Sequence, residues 1–160
     1  MNPRKSASAR PVARESTLHV AEKSPSYRID PPARLAGLDP LQVHDAVSDG
    51  LPTREVEGLI AQFRQIPKAQ LLRALGVSER TLQRHKGGKL GSDIASAAID
   101  LATTVEAAAR TLGSLAAAEH WLGQPAVAFN GRCPIDLLST RQGADLVREH
   151  LVRMEYGVYA

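Results

Sequence analysis

The sequence predicts an all-α fold: a helix-turn-helix domain, then a long helix, then a small helical domain. Only 4% of the 160 residues are aromatic although 43% are hydrophobic, so the core must consist mainly of Leu, Val, Ile and Ala, and Ala favours helix. The aliphatic residues recur at helical spacing, and no stretch shows the alternation of a half-buried strand. From Leu38 onward, signals that start and stop helices follow each other at short intervals.

Composition excludes several classes of protein and site. The single Cys133 excludes an intramolecular disulfide and a zinc site built from several cysteines. No apolar run approaches the ~18 residues of a membrane span, and the N-terminus lacks the apolar segment of a signal peptide. The five histidines lack the spacing of a metal or catalytic motif. We therefore expect a cytoplasmic protein that is no enzyme, holds no cofactor and contacts no membrane.

Residues 1–36 are predicted to form a disordered basic arm. They are rich in Pro, Ser, Arg and Ala and show no periodicity. Two interpretations stay open for this arm: its basic residues add weak contacts to phosphate groups, or it has no role.

The next predicted domain, residues 37–90, begins with two helices. Asp39 followed by Pro40 predicts an N-cap with proline at the first helical position, and Gly50 predicts the end of that helix. Thr53 is predicted to cap the second helix. The inward face of this second helix follows the i, i+3, i+4, i+7 pattern at Val56, Leu59, Ile60 and Phe63.

A helix, a tight turn and a second helix are predicted over residues 68–86. Pro67 opens the first helix, Gly76 supplies the positive φ of the turn, and Ser78 caps the second helix. The residues spaced to hold the two helices together are Leu71, Leu75, Val77 and Leu82. Leu72 departs from the pattern, because a small residue usually stands four positions before the turn glycine. Either the two helices cross at a different angle from that of the usual motif, or Leu72 points away from their crossing point.

The formal net charge of +3 hides a concentration of positive charge in this motif. Residues 64–89 hold seven basic residues and one acidic residue, whereas 31–63 and 90–131 are each net acidic. Such a concentration predicts a nucleic-acid partner, here double-stranded DNA. The candidates for reading bases are Arg80, Thr81, Gln83 and Arg84, and those for contacting phosphates are Lys68, Arg73, Lys86 and Lys89. Ser78 is also a DNA-binding candidate, because the helix N-terminus that it caps is expected to point toward the DNA. The alternative is an ordinary helical hairpin with a solvated basic face.

A long Ala-rich helix is predicted over residues 91–113, starting at Ser92. Its apolar stripe consists of Ile94, Ala98, Leu101, Val105, Ala108 and Leu112, at a spacing near 3.5 that suits packing against another helix. Two interpretations are open: a connecting helix that forms a homodimer, as helix-turn-helix proteins reading palindromes do, or the central core helix of the bundle.

Residues 114–160 are predicted to form a small C-terminal domain. Gly113 interrupts the long helix, Ser114 caps the next, and short helical pieces follow around 125–129 and 134–138. A last helix over 140–155 places Ala144, Val147, Leu151 and Met154 inward.

A run of motifs in this domain has a known counterpart. It reads Ala118-Glu119-His120-Trp121-Leu122, Pro125 to Arg132, and Pro134-Ile135-Asp136-Leu137-Leu138, and continues through Thr140, Gly143-Ala144, Val147 and Leu151 to Arg153–Tyr159. In these motifs the chain resembles the toxin-binding domain of the Xre/MbcA/ParS antitoxin family. Phe129 and Asn130 depart from the Leu and Gly usual there, and Met154 replaces an Ile.

The resemblance implies an antitoxin of a RES–Xre toxin–antitoxin pair. It implies that the chain binds a RES-type, NAD-consuming toxin, blocks its active-site cleft and, together with it, represses their shared promoter. The candidate toxin-binding residues are Arg132, Arg153, Tyr156, Gly157, Val158, Tyr159 and Ala160. The last five are expected to enter the toxin's NAD cleft, where aromatic rings bury surface and the terminal carboxylate engages basic groups.

Alternatives to this assignment stay open at the level of residues and of function. In the alternative interpretation of these residues, Tyr156 and Tyr159 cover the domain's own core and Arg132 caps a helix end. Trp121 and Asp136 favour structural roles, in core packing and in a helix's first turn. The alternative function is a stand-alone transcription regulator whose C-terminal domain senses another partner.

Overall fold

The computed structural model describes residues 31–157, with side chains from residue 34 onward. Its helices are α1 (Pro31–Ala36), α2 (Pro40–Asp49), α3 (Thr53–Gln62), α4 (Lys68–Ala74), α5 (Glu79–Arg84), α6 (Ser92–Leu112), α7 (Leu115–Gly123), α8 (Pro134–Leu137) and α9 (Arg141–Glu155). A 3₁₀ turn covers Val127–Phe129, and two short strands are β1 (Leu51–Pro52) and β2 (Lys89–Leu90). The predicted all-α class is therefore confirmed over the described residues. No helix in this range combines the length and the apolarity needed to cross a membrane.

Helix α6 lies at the centre of one continuous core. It packs against α1, α2, α7 and α9. Its buried residues extend over a wider arc than the predicted stripe: Ala95, Ala98, Ile99, Leu101, Ala102, Thr104, Val105 and Ala108. The chain's own helices cover these residues, so α6 is a central core helix of the bundle. A homodimer formed through α6 stays a prediction.

Most helix ends are formed by the predicted signals. Asp39 Oδ1 accepts the backbone N–H groups of Leu41 and Gln42, both at 2.9 Å, and Gln42 Oε1 accepts the N–H of Asp39 at 3.0 Å. This reciprocal pair is a capping box. Ser114 caps α7 by accepting the N–H of Ala117 at 3.1 Å. Thr140 caps α9 in the same way, through the N–H of Gly143.

Thr53 does not cap α3, contrary to its predicted role. It is the first residue inside the helix and is buried, and its hydroxyl donates to the carbonyl of His85 at 2.7 Å and to that of Gly88 at 3.2 Å. Thr53 thus fastens the segment that follows α5 to the start of α3. The sequence offers no local sign of this, because the partners lie 32 and 35 positions away.

Two further differences from the sequence predictions concern short elements. Strands β1 and β2 pair antiparallel, with Leu51 opposite Leu90, whereas no strand was expected. Two residues per strand are too few to show alternation. The arm predicted over 1–36 ends earlier, because Pro31–Ala36 forms α1 and Leu35 is buried. One buried leucine in a Pro- and Ala-rich stretch gives no periodic signal. The rest of the arm, residues 1–30, lies outside the described residues.

Candidate functional site

The turn between α4 and α5 is built by the predicted glycine. Gly76 has φ of +63°, which L side chains rarely adopt. Its N–H donates to the carbonyl of Arg73 at 3.1 Å, and the N–H of Val77 donates to that of Leu72 at 3.0 Å. These two bonds form a Schellman motif, in which apolar residues at the positions of Leu72 and Val77 commonly meet. Both are buried here, so Leu72 belongs to the end of α4 and to the core.

Helix α5 presents the predicted base-reading residues on its outer side. Ser78 caps it by accepting the N–H of Thr81 at 3.1 Å, and the two hydroxyls lie 2.8 Å apart. Leu82 faces inward and is buried, and Arg80 and Arg84 are exposed. Among the predicted DNA contacts, the exposed residues of α5 are Arg80, Gln83 and Arg84. Lys86 and Lys89, which follow α5, and Arg73 on α4 are also exposed. These predicted DNA-contacting residues are therefore accessible, with Thr81 partly covered; the exposed basic residues of α5 and of the segment after it are here called the basic surface of α5.

Lys68 differs from the other predicted phosphate contacts. Its ammonium nitrogen lies 3.0 Å from Glu79 Oε1, and both side chains are largely exposed. Lys68 therefore pairs with the acidic residue in the first turn of α5 and is partly neutralised. The pair joins two helices at eleven positions' separation, so neither helix alone predicts it.

An aromatic cluster lies at the junction of α7, the 3₁₀ turn and α9. The rings of Trp121 and His150 are stacked, with centroids 6.1 Å apart and planes at 1°. Phe129 meets both edge-on, at 6.4 Å from Trp121 and 5.2 Å from His150. Burial, and after it the nearby Arg153, lowers the pKa of His150 below its ordinary value. Trp121 thus packs within its own domain, as its apolar position indicated, while the role of His150 was missed among five scattered histidines.

The described part of the predicted toxin-binding tail projects into solvent. Tyr156, which follows the last turn of α9, is 77% exposed, so it does not cover the core. Gly157 follows with φ of +67° and is exposed. Arg132 is exposed, and Arg153 lies 4.0 Å from Glu149 on the same helix. The predicted residues Val158, Tyr159 and Ala160 lie outside the described residues.

Asp136 and Cys133 have structural roles near the start of α8. Asp136 Oδ1 accepts a hydrogen bond from the side-chain amide of Gln70 at 3.0 Å, which ties α8 to α4. The Cys133 thiol donates to the carbonyl of Gly123 at 3.4 Å. Burial, and then the Asp136 carboxylate, raises the pKa of Cys133. A raised pKa makes the thiolate scarce, so Cys133 is a weak nucleophile. No group of three or more potential metal ligands occurs among residues 34–157.

One buried carboxylate joins the C-terminal domain to the helix-turn-helix. Glu119 of α7 accepts the backbone N–H groups of Arg64 and Gln65, just before α4, both at 2.8 Å. Gln65 in turn donates through its side-chain amide to the carbonyl of Ala116 at 3.1 Å. In the sequence, Glu119 is distinguished only as part of the resembling motif. It is the one acidic residue of α7, a mostly apolar helix, and this is the signal that would have singled it out.

Comparison with known proteins assigns both halves of this structure. Residues 42–102 match the model of the Antitoxin Xre-like helix-turn-helix domain. Residues 107–157 match that of the Antitoxin Xre/MbcA/ParS C-terminal toxin-binding domain. The curated protein "Antitoxin Xre" of Yersinia enterocolitica is 28% identical over 119 residues, which cover 72% of this chain and 80% of that protein. The chain therefore belongs to the Xre family of antitoxins, and it joins a DNA-binding helix-turn-helix domain to a C-terminal toxin-binding domain around one core.

Proposed function

We propose that this antitoxin binds and blocks a RES-domain toxin that consumes NAD and, together with that toxin, represses its own operon. The observation that carries the proposal is the presence of two different exposed surfaces on one continuous core. One is the basic surface of α5, and the other is the end of α9 with its exposed Tyr156. The proposal has no catalytic step and no cofactor, and it places the chain in the cytoplasm, where promoter DNA is found.

The toxin-blocking half of the proposal assigns residues 156–160 to the toxin's NAD cleft. The Tyr156 ring is exposed, and the chain turns just after it at Gly157. Burial of this apolar ring by a partner would stabilise the complex. Arg153, three positions before Tyr156, and Arg132 are both exposed and are proposed to contact the rim of the cleft. Co-expression with the RES-type toxin tests this directly.

In that co-expression experiment the full chain should rescue growth, and a variant lacking 158–160 should not. The same truncated variant should bind promoter DNA as the full chain does, which shows that it folds. Full rescue by the truncated variant would contradict the assignment of the tail to the cleft.

The DNA-binding half assigns Arg80, Gln83 and Arg84 to base edges and Arg73, Lys86 and Lys89 to phosphates. An Arg–guanine fork is worth about 1–3 kcal/mol of discrimination, whereas a phosphate contact contributes mainly to the salt dependence of affinity. Arg80→Ala should therefore lower both affinity and sequence preference. Lys89→Ala should lower the affinity for all DNA sequences alike and reduce the slope of affinity against salt concentration by about one. Equal effects of both variants on sequence preference would contradict these roles.

A homodimer is part of the proposal, because helix-turn-helix proteins commonly read two half-sites about 34 Å apart. The chain's own helices cover the buried side of α6, so a dimer contact through α6 would use its exposed residues. Footprinting should reveal two half-sites, and sedimentation should give the mass of a dimer. A single half-site protected by a monomer would contradict this part.

The alternative function is a stand-alone transcription regulator with a C-terminal domain that senses another partner. It shares the DNA-binding surface, so DNA binding does not discriminate between the two. A RES-type reading frame beside this one, together with rescue in co-expression, would decide for the antitoxin. Specific promoter binding without any rescue would decide for the regulator.

A further inference from the structure

Exposed apolar side chains are concentrated on the outer side of α9. Leu146 is 51% exposed and Val152 50%, and Tyr156 continues the same side just after the helix. Together with Glu149 they recur at intervals of three and four, so they form one surface, here called the α9 face. The opposite side of α9, with Ala144, Val147 and Leu151, is buried in the chain's own core.

The charges around the α9 face compensate one another. Arg148 Nη2 lies 2.6 Å from Asp145 Oδ1, and Arg153 Nη1 lies 4.0 Å from Glu149 Oε2. The basic surface of α5, in contrast, carries a strong excess of positive charge. A polyanion therefore fits α5 and not the α9 face, whose mixture of apolar and paired charged residues is typical of surfaces that bind protein.

The α9 face is held in a fixed position. Arg148 Nη1 also donates to Asp100 of α6 at 3.0 Å, and both side chains are largely buried. A surface that is fixed before binding loses little conformational entropy when a partner covers it, so its apolar area contributes more fully to affinity.

We propose that the toxin docks on the α9 face, and that this docking supplies binding affinity that is separate from the blocking role of residues 158–160. The inference rests on the proposed function, because it takes the RES-type toxin as the occupant. Two observations support that occupant. The face lies within residues 107–157, the part that matches a toxin-binding domain, and its last member, Tyr156, is also the first residue of the segment proposed to enter the cleft.

A two-part interface separates binding from blocking. Loss of the α9 face weakens the complex, and a high concentration of antitoxin still inhibits the toxin. Loss of 158–160 leaves a complex that forms but does not inhibit. An interface formed by the tail alone would lose both properties together.

The test uses the full chain and a RES-domain toxin as its proposed partner, with calorimetric titration for affinity. Val152→Asp and Leu146→Asp should each weaken toxin binding at least tenfold, because a charge is then desolvated in the interface. Leu41→Asp is the matched control: Leu41 is 69% exposed on α2, so its substitution should change affinity less than twofold. All three variants should retain wild-type affinity for promoter DNA.

Unchanged toxin affinity in both Val152→Asp and Leu146→Asp would overturn the inference while leaving the proposed function intact. A wild-type chain that does not bind the RES-domain toxin would instead overturn the proposed function. A lower mass of the toxin-free antitoxin in Val152→Asp, measured by light scattering, would identify the face as a contact between two copies and would also overturn the inference.

Discussion

The carboxylate of Glu119 accepts the backbone N–H of Gln65 at 2.8 Å across 54 positions of sequence. The same oxygen accepts the N–H of Arg64, and the Glu119 side chain is 3% exposed. A buried charge is tolerated when it receives hydrogen bonds, and here both donors belong to the segment that leads into α4. The toxin-binding domain therefore holds the entry to the helix-turn-helix in place.

Replacing Glu119 by alanine should destabilise the protein by about 3 kcal/mol. The variant loses two hydrogen bonds to a charged group and leaves two N–H groups with no acceptor. Glu119→Gln should cost less than Glu119→Ala, since an amide oxygen still accepts both donors. Urea unfolding measures the free energies of the three proteins.

The same two variants also test whether Glu119 positions the DNA-binding surface. At a temperature where both are fully folded, Glu119→Ala should bind promoter DNA more weakly than Glu119→Gln does. Equal DNA affinity of the two would show that the contact stabilises the fold without positioning α4 and α5.

Gly143 in the first turn of α9 is predicted to tolerate no side chain. A Cβ at this position would overlap the carbonyl of Leu137, a backbone group that is fixed between α8 and α9. Gly143→Ala should therefore cost roughly 3 kcal/mol, whereas alanine normally improves a helix by up to about 1 kcal/mol. Thermal unfolding of the variant measures this cost.

Gly123→Ala serves as the matched control for Gly143→Ala. It also lies in a helix, and its added Cβ would meet Ile66 at 3.6 Å, an ordinary contact. This variant should be neutral or slightly stabilised. A Gly143→Ala protein as stable as Gly123→Ala would contradict the predicted overlap.

The parts of the fold that sequence predicts are those determined by neighbours along the chain. The caps at Asp39, Ser78 and Ser114 and the turn at Gly76 each depend on residues within four positions. Helical periodicity likewise predicted the buried faces of α3, α6 and α9, because each face repeats within its own helix. Local chemistry is sufficient for such features.

The parts that sequence did not predict depend on partners far along the chain. Thr53 and Glu119 act on backbone groups more than 30 positions away, so their neighbours in sequence say nothing of their roles. The Lys68–Glu79 ion pair joins two helices whose relative position comes from packing. The α9 face was missed for a related reason: Leu146 and Val152 would suit a core as well as a surface, and only the packed structure decides.

The stability of the protein should fall below neutral pH because of His150. Its folded-state pKa is lowered from 6.5, first by burial and then by Arg153, so the neutral ring is favoured in the folded state. The associated stability is present above about pH 6.5 and is lost as pH falls through the folded-state pKa, since protonation then favours unfolding. His150→Phe keeps a ring in the stack with Trp121 and removes the titration.

Urea unfolding at about pH 7.5 and about pH 5.5 measures this effect. The wild-type protein should lose more of its unfolding free energy over that interval than His150→Phe does. An equal loss in both proteins would assign the acid sensitivity to other groups.

Glu79→Gln should strengthen the binding of promoter DNA. The substitution removes a negative charge from the first turn of α5 and releases Lys68, which lies 3.0 Å from Glu79, to contact a phosphate. We expect affinity to rise about threefold to tenfold near physiological salt, with a salt slope steeper by about one, because one more counterion is released from the DNA. Glu106→Gln, an exposed substitution on α6, is the matched control and should leave both quantities unchanged. Combining Glu79→Gln with Lys68→Ala should return the slope to its wild-type value; a slope that stays steep would show that the gain comes from lost repulsion alone.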